Sequence, residues 1–310
     1  MNFKRTIIQW TLLVPVFLMN STPLHFASAF TDIEPGDYHY LPIMELKEAG
    51  VVNGNPDGTY DSNARVTRAE ALKLILLASG EHTEEDIERE FHNANIAPFP
   101  DTPLDAWYTK YVYYAQQKGY INGYDDGTFG PGDEVNLAEV LKMYLESRSN
   151  IIYPLLDGNL FEDVPADSWY ADYFAYASTR GALDISLSNE AYPDRNVSRG
   201  YITDILYRMQ KFGEGYEFGK ATFYGAAVHG NGTASGETFD MYAYTAAHKT
   251  LPFGTIVEVT NLANGKSVQV EITDRGPYGA GRIIDLTSTA FEEIASLGAG
   301  VVNVQVKVVE

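Results

Sequence analysis

The sequence predicts a molecule in two parts, a mostly α-helical repeat region followed by a small β domain. Three observations carry this reading. A set of Asp, aromatic, Gly and Val landmarks recurs three times between residues 30 and 212, and self-similarity of that kind marks stacked supersecondary units that bury their faces against one another. Inside each repeat the apolar residues follow helical spacing. Beyond residue 219 the pattern changes to short apolar or alternating runs cut by Gly and Pro, which reads as strands and turns.

The first element is a leader. Lys4 and Arg5 precede an apolar run from Ile7 to Met19, and Ala27-Ser28-Ala29 supplies a small-x-small cleavage pattern. Residues 1–29 are therefore expected to be a secretory signal peptide. The run is shorter than the ~20 residues a membrane span needs, so no stable membrane insertion is expected after cleavage. The chain of 310 residues has a formal charge of −20, most of it in 30–212. That balance argues against nucleic acid as a partner, because phosphate backbones need a basic face. There is no Cys, so the fold rests on its core alone, and lipid attachment at a cleavage-site Cys is excluded.

The repeats come next, at about 30–80, 99–149 and 161–212. Aligning Asp32, Asp101 and Asp163 brings Tyr38, Trp107 and Trp169 into register, then Gly50, Gly119 and Gly181, then Val66, Val135 and Val197. Each unit reads as helix, loop, helix. In the second, Tyr111, Val112, Tyr114 and Ala115 line one helical face and Gly119 stops the helix. Ile121–Gly132 is turn chemistry with Asp-Gly and Pro-Gly pairs, and another helix starts near Asn136. In the first unit, Thr67 and Glu70 form the spacing of a capping box.

These motifs, FPD…W…GYINGYDDGTF in the second unit and GVVNGNPDGTY…VTRAE in the first, resemble the S-layer homology (SLH) domain over about residues 30–212. The resemblance implies three units packed as a pseudo-threefold prism. It also implies binding of secondary cell-wall polysaccharide, often bearing a pyruvate ketal, in the grooves between units. Arg68, beside the N-cap Thr67, is the expected anion contact, where backbone N–H groups, helix dipole and guanidinium would converge; a solvated surface Arg is the plain alternative. Arg199 takes the same place in the third unit, which loses the Glu and the D-G-T loop. Leu137 stands there in the second, so that groove is expected to be weak. Trp107 and Trp169 are expected to pack between units.

A Gly-rich linker is expected at 213–219, then a barrel over 220–310. Ala221–Tyr224, Thr255–Thr260, Ser267–Thr273 and Val302–Val309 read as strands, Asn264-Gly265 as a hairpin turn, and Ser288–Leu297 as a helix capped by Thr287 or Ser288. Acids and a His stand at particular points: Glu237 and Asp240 in SGETFDM, His248 in TAAHKTLPFG, Asp274 in TDRGP and Asp285 in RIIDLT.

This stretch closely resembles the rare lipoprotein A (RlpA) family, whose characterised members are lytic transglycosylases of peptidoglycan. The resemblance implies a six-stranded double-psi β-barrel and a glycan-strand substrate. It implies that Asp274, Glu237 and His248 are catalytic, with Asp274 protonating the leaving oxygen and then accepting the proton of the attacking hydroxyl. On residue type alone Asp274 reads equally as a turn cap, His248 as a structural His, and Asp285 as a carboxylate on a helix dipole. Substrate contacts are expected from Asp240, Tyr224, Tyr278, Arg282 and Asp285. Tyr224 and Phe223 alternate in a strand, so only one can face the groove.

No cofactor is expected, and no metal, since His229 and His248 lack zinc-ligand spacing. The combined expectation is a secreted bacterial protein held at the cell wall or S-layer. The rival is a non-catalytic, expansin-like wall-loosening or glycan-binding protein on a similar barrel.

Overall fold

The computed structural model describes residues 30–149, 151–154, 161–183 and 189–309. The expected signal peptide lies outside the described residues. Each repeat pairs a first helix, α1 (Tyr40–Glu48), α4 (Thr109–Gln117) or α6 (Ala171–Thr179), with a second, α2 (Arg68–Ala78), α5 (Leu137–Glu146) or α7 (Arg199–Gly213). An additional helix, α3 (Glu84–Phe91), joins the first two units. It carries its own capping box between Thr83 and Asp86, a signal the sequence displays but the repeat pattern does not require.

The structure explains why an Asp opens each unit. Asp32 accepts the N–H groups of Tyr60 and Asp61, both at 2.7 Å. Asp101 does the same for Phe129 and Gly130 at 2.9 and 2.7 Å, and Asp163 for Ala191 and Tyr192 at 2.8 and 2.6 Å. One carboxylate thus closes each loop that leads into the second helix, with charge-assisted bonds on both oxygens. The aligned valines do a different task. Val66 N–H donates to Val197, Val135 to Val66, and Val197 to Val135, at 3.4, 3.2 and 3.1 Å. This ring of backbone bonds ties the three units together around three fully buried side chains.

Six strands follow: β1 (Tyr216–Tyr224), β2 (Thr245–His248), β3 (Ile256–Asn261), β4 (Ser267–Asp274), β5 (Arg282–Thr287) and β6 (Val302–Val308). They close into a barrel in the order β1-β5-β2-β4-β3-β6. The β1/β5 and β2/β4 pairs are parallel and the rest antiparallel. Four of these strands were legible as alternating runs. β2 reads TAAH, with too little bulk to show as a strand, and β5 was read only as the approach to a helix. Helix α8 (Ser288–Ile294) sends Phe291 and Ile294 into the barrel core. It ends before the expected Leu297, because Ala295 is extended.

The expected linker at 213–219 is also corrected. Gly213 is still helical and Tyr216 already pairs with β6, which leaves only Glu214 and Gly215 between the two parts. The cause is burial: Phe218 on β1 and Leu262 after β3 belong to the helical region's hydrophobic cluster. Backbone bonds reinforce the junction, from Gly36 to Ala263 at 2.7 Å and from Leu41 to Leu262 at 2.9 Å. The buried Tyr207 hydroxyl donates to Gln305 Oε1 at 2.7 Å. No helix among the described residues is long and apolar enough to cross a membrane.

Candidate active site and wall-binding grooves

The barrel site is built at the ends of β4 and β5. Asp274 closes β4. Its Oδ1 accepts the N–H groups of Ala234 at 2.9 Å and Arg275 at 2.8 Å, which fixes the orientation of the carboxylate. Ser235 N–H donates to the Thr273 carbonyl, so the loop carrying Glu237 is strapped to the strand end beside Asp274. Glu237 itself is exposed, and its carboxylate makes no hydrogen bond or ion pair among the described residues.

Asp285 has different surroundings. It sits within β5, opposite Thr222 of β1, and accepts that residue's hydroxyl. Half-burial pushes its pKa above the ordinary carboxylate range, partly opposed by the Arg282 charge. Tyr224 completes the group. Its ring stacks on Phe239 with centroids 4.5 Å apart, and its hydroxyl is buried without a partner. Burial and the charges of Asp274 and Asp285 push the phenol well above its ordinary value. Tyr224 therefore lies within the fields of both carboxyls. Phe223 turns the opposite way and packs on Phe291 inside the barrel, as strand alternation requires.

The structure does not bring the His248 imidazole to Asp274. His248 is buried, and its Nδ1 accepts the N–H groups of Leu251 at 3.1 Å and Thr250 at 3.3 Å. Nε2 must then carry the proton, and it lies 3.1 Å from Glu217. The ring thus holds the turn after β2 and clasps β1. Its carbonyl accepts Arg275 Nη1 at 3.3 Å, so its connection to Asp274 runs through the neighbouring Arg275. Asp240 caps Tyr242 N–H at 3.0 Å in an exposed turn. Tyr278 is 84% exposed. Arg282 opens β5 and reaches the group through its charge on Asp285. Thr222, Phe239 and Arg275 were missed. Thr222 was findable, since it lies two residues before Tyr224 and so on the same strand face.

Arg68 and Arg199 occupy a second kind of site. The Arg68 guanidinium pairs with Glu139 at 3.1 Å and lies over Tyr124 and Phe129. Arg199 lies over Tyr60, 3.9 Å from Glu70, and donates to the Asn53 carbonyl. Each Arg therefore reaches across to the next unit, and each leaves a buried Nε without a partner. The helix N-terminus does not contribute as expected. Arg68 and Ala69 N–H groups already donate to the carbonyls of Asp133 and Pro131, so an anion there would meet guanidinium and not free amides.

The cleft beside Arg68, of about 380 Å³, is also lined by Tyr124, Glu139, Lys142, Trp169 and Tyr173. Trp107 and Trp169 do not pack between units. They are 53% and 57% exposed, with Lys73 and Lys142 of the preceding unit over their rings. Neither Lys was singled out by sequence. In the third unit the corresponding place holds Asp204, buried against Arg208 at 2.8 Å.

Residues 217–306 match the family model described as lytic transglycolase, and residues 29–72 and 98–141 match that of the S-layer homology domain. The barrel therefore carries an RlpA-like lytic transglycolase domain, and the helical region carries two recognised SLH segments. The third unit lies outside the matched segments. The chain is 50% identical over 104 residues to an endolytic peptidoglycan transglycosylase RlpA of Vibrio cholerae, covering 33% of this chain and 40% of that one. It is 57% identical over 88 residues to a probable endolytic peptidoglycan transglycosylase RlpA of Treponema pallidum, covering 28% of each. A Synechocystis relative of the same description is 53% identical over 92 residues, covering 30% of this chain and 29% of that one. The chain thus spans two fifths or less of the length of these relatives.

Proposed function

We propose that this chain is a secreted endolytic peptidoglycan transglycosylase moored to the cell wall by its repeats. The barrel cleaves the β-1,4 bond between MurNAc and GlcNAc and leaves a 1,6-anhydro end. The repeats hold secondary cell-wall polysaccharide, with a pyruvate ketal as the group that suits Arg68 and Arg199. The ring of valine hydrogen bonds supports a pseudo-threefold prism for the three units.

The observation that carries the reading is the pair of carboxyls in unlike surroundings, Asp274 and Asp285, which flank Ala247 of β2 from either side. Lytic cleavage needs a proton delivered to the leaving glycosidic oxygen and a proton taken from the attacking sugar hydroxyl. The half-buried Asp285, whose pKa is raised, suits the acid. Asp274 has Oδ1 fixed by two N–H donors, which leaves Oδ2 to accept. The C6 hydroxyl of MurNAc attacks C1 and loses its proton to Asp274, while the C1–O bond breaks and O4 of the leaving GlcNAc takes the proton of Asp285. A proton passed back through water from Asp274 to Asp285 resets the site. This divides between two residues the task that the sequence reading gave to Asp274 alone. The unpartnered Tyr224 hydroxyl supports a hydrogen bond to a sugar oxygen. Glu237, on the loop strapped to the β4 end and without a side-chain partner among the described residues, would stabilise positive charge developing at C1, and His248 would act as a positioning residue through Arg275.

Mass spectrometry of purified sacculi digested with the full chain tests the function. Anhydro-muropeptides are the expected product. Solubilisation without them, or reducing ends in their place, overturns the transglycosylase reading and leaves a non-catalytic wall-loosening barrel.

A further inference from the structure

The three junctions between repeat units share one backbone contact. The first residue of each second helix donates its N–H to a carbonyl of the next unit in the ring: Arg68 to Asp133 at 2.8 Å, Arg199 to Ala64 at 2.9 Å, and Leu137 to Arg195 at 3.0 Å. At two junctions the helix supplies the Arg, facing an acid or a small residue. At the third the helix supplies Leu137, and the residue facing it is the Arg. The cation missing from one side of that groove stands on the other.

Arg195 is seated much as the other two are. Arg68 pairs with Glu139, and Arg199 lies 3.9 Å from Glu70. The residue aligned with these acids is Tyr201, and the Arg195 guanidinium lies over its ring at 4.7 Å, with the Tyr192 ring at 5.7 Å. A ring face attracts the charge without cancelling it, and Arg195 has no ion pair among the described residues. A cleft of about 280 Å³ opens here, lined by Arg195, Tyr201, Tyr38, His39 and Arg65. Arg65 donates to the Asn196 carbonyl and, among the described residues, meets no carboxylate. No acid lines the cleft. Glu134 is held by the Asn196 amide, and Asp204 is buried against Arg208. Tyr38, aligned with Trp107 and Trp169, is 50% exposed, close to their own exposure. The cleft thus repeats the parts of the other grooves, an Arg on aromatic rings beside an exposed ring, without their Glu. Two guanidinium groups with no carboxylate on either attract an anion, the more so in a chain whose formal charge is −20.

We propose that this cleft is a third wall-glycan site, which takes an anionic group of the polymer, a carboxylate or a phosphate, on Arg195 and Arg65. The site rests on the anchoring reading of the repeats and deepens it. The ring then grips three stretches of polymer and not two, one of them through arginines that lie outside the repeat motif. The absence of a Glu makes this site the most dependent of the three on the ligand's charge.

The test measures, by calorimetry, binding of polymer released from purified walls to the full chain. An Arg68→Gln/Arg199→Gln variant should still bind one stretch of polymer, and adding Arg195→Gln should weaken that binding about tenfold, the scale of one charge-assisted contact. Raising salt should weaken it too, because both arginines are exposed. Arg68 is buried, so a second reading spares it: Arg65→Gln/Arg195→Gln in the parent should lower the number of stretches bound from three to two. Competition with a hexose carrying a 4,6-pyruvate ketal, with a hexose 6-phosphate and with the bare hexose separates the two sources. Displacement by one acidic sugar and not by the bare one names the group, whereas equal displacement by all three, or by none, overturns the anion site. Loss of all binding in a folded Arg68→Gln/Arg199→Gln variant, or three stretches still bound by Arg65→Gln/Arg195→Gln, overturns the third site and leaves a two-groove anchor standing. If the parent binds no polymer yet the acidic sugars shift the Arg195 guanidinium resonance in a nuclear magnetic resonance titration, the anchoring reading fails and the site stands. With neither response, both fall.

Discussion

Asp274 and Asp285 are the same side chain in different company. Asp274 takes two backbone N–H bonds at the end of β4, and Asp285 takes a hydroxyl within β5. If they divide the proton work, Asp274→Asn and Asp285→Asn should each lower turnover of glycan strands by at least ~10²-fold, the low end for general acid–base catalysis. Both variants should stay folded, as circular dichroism would check. Wild-type release of anhydro-muropeptides by Asp285→Asn would return both steps to Asp274. The pH dependence has a definite sign. An acid must hold its proton, so kcat/KM should fall as pH rises through the raised pKa of Asp285. Arg282 lowers that pKa, and Arg282→Gln should move the falling limb to higher pH. A pH–rate profile in which the limb stays put, or moves down, sinks the assignment.

The helices and loops of the repeats show how a groove is assembled. One unit supplies an Arg, the next a Glu and a Lys, and the third a Trp. The Arg68 groove has all four, with Glu139, Lys142 and Trp169. The Arg199 groove has Glu70, Lys73 and Trp107. In the remaining position Leu137 replaces the Arg, and Tyr201 and Asp204 replace the Glu and Lys. Arg and Glu are lost together because they belong to one groove, although they sit in different repeats. Lys142→Ala and Lys73→Ala should each weaken binding of purified wall polymer about tenfold, the cost of one charge-assisted contact, whereas Leu137→Ala should not. Equal binding by the Lys73→Ala/Lys142→Ala pair would remove the lysines from the grooves. This is also where sequence reading runs out. Arg68 was legible from the TRAE context and Arg199 from its matching place in VSRGY, but pairing across units is a property of the ring, which no single repeat displays. Likewise Asp274 and Tyr224 were legible in the barrel, while the shift at Asp285 depends on a burial that only the β1/β5 pairing creates. His248 looked catalytic because its spacing fits the family, and only the two N–H donors on Nδ1 reveal a ring already committed.

At the scale of the whole molecule the two parts share a core. Phe218 of the barrel is buried in the helical cluster, and the Tyr207–Gln305 bond crosses the junction. Cooperative units that share buried surface melt together, so thermal unfolding of the mature chain should show one transition. Phe218→Ala should cost about 3 kcal/mol, as large-to-small core changes do, and should split the melt into two steps followed by calorimetry. Two transitions in the parent would refute the shared core. The near-absence of a linker has a consequence for the wall itself. An enzyme on a flexible tether sweeps a sphere and cuts whatever it meets. On the proposed function, a barrel clamped to its anchor would have one heading relative to the polymer it grips, so the polymer would set both where a strand is cut and the direction from which it is approached. Cuts would then fall at the intervals of the anchoring chains, and the wall would carry the imprint of its own scaffold.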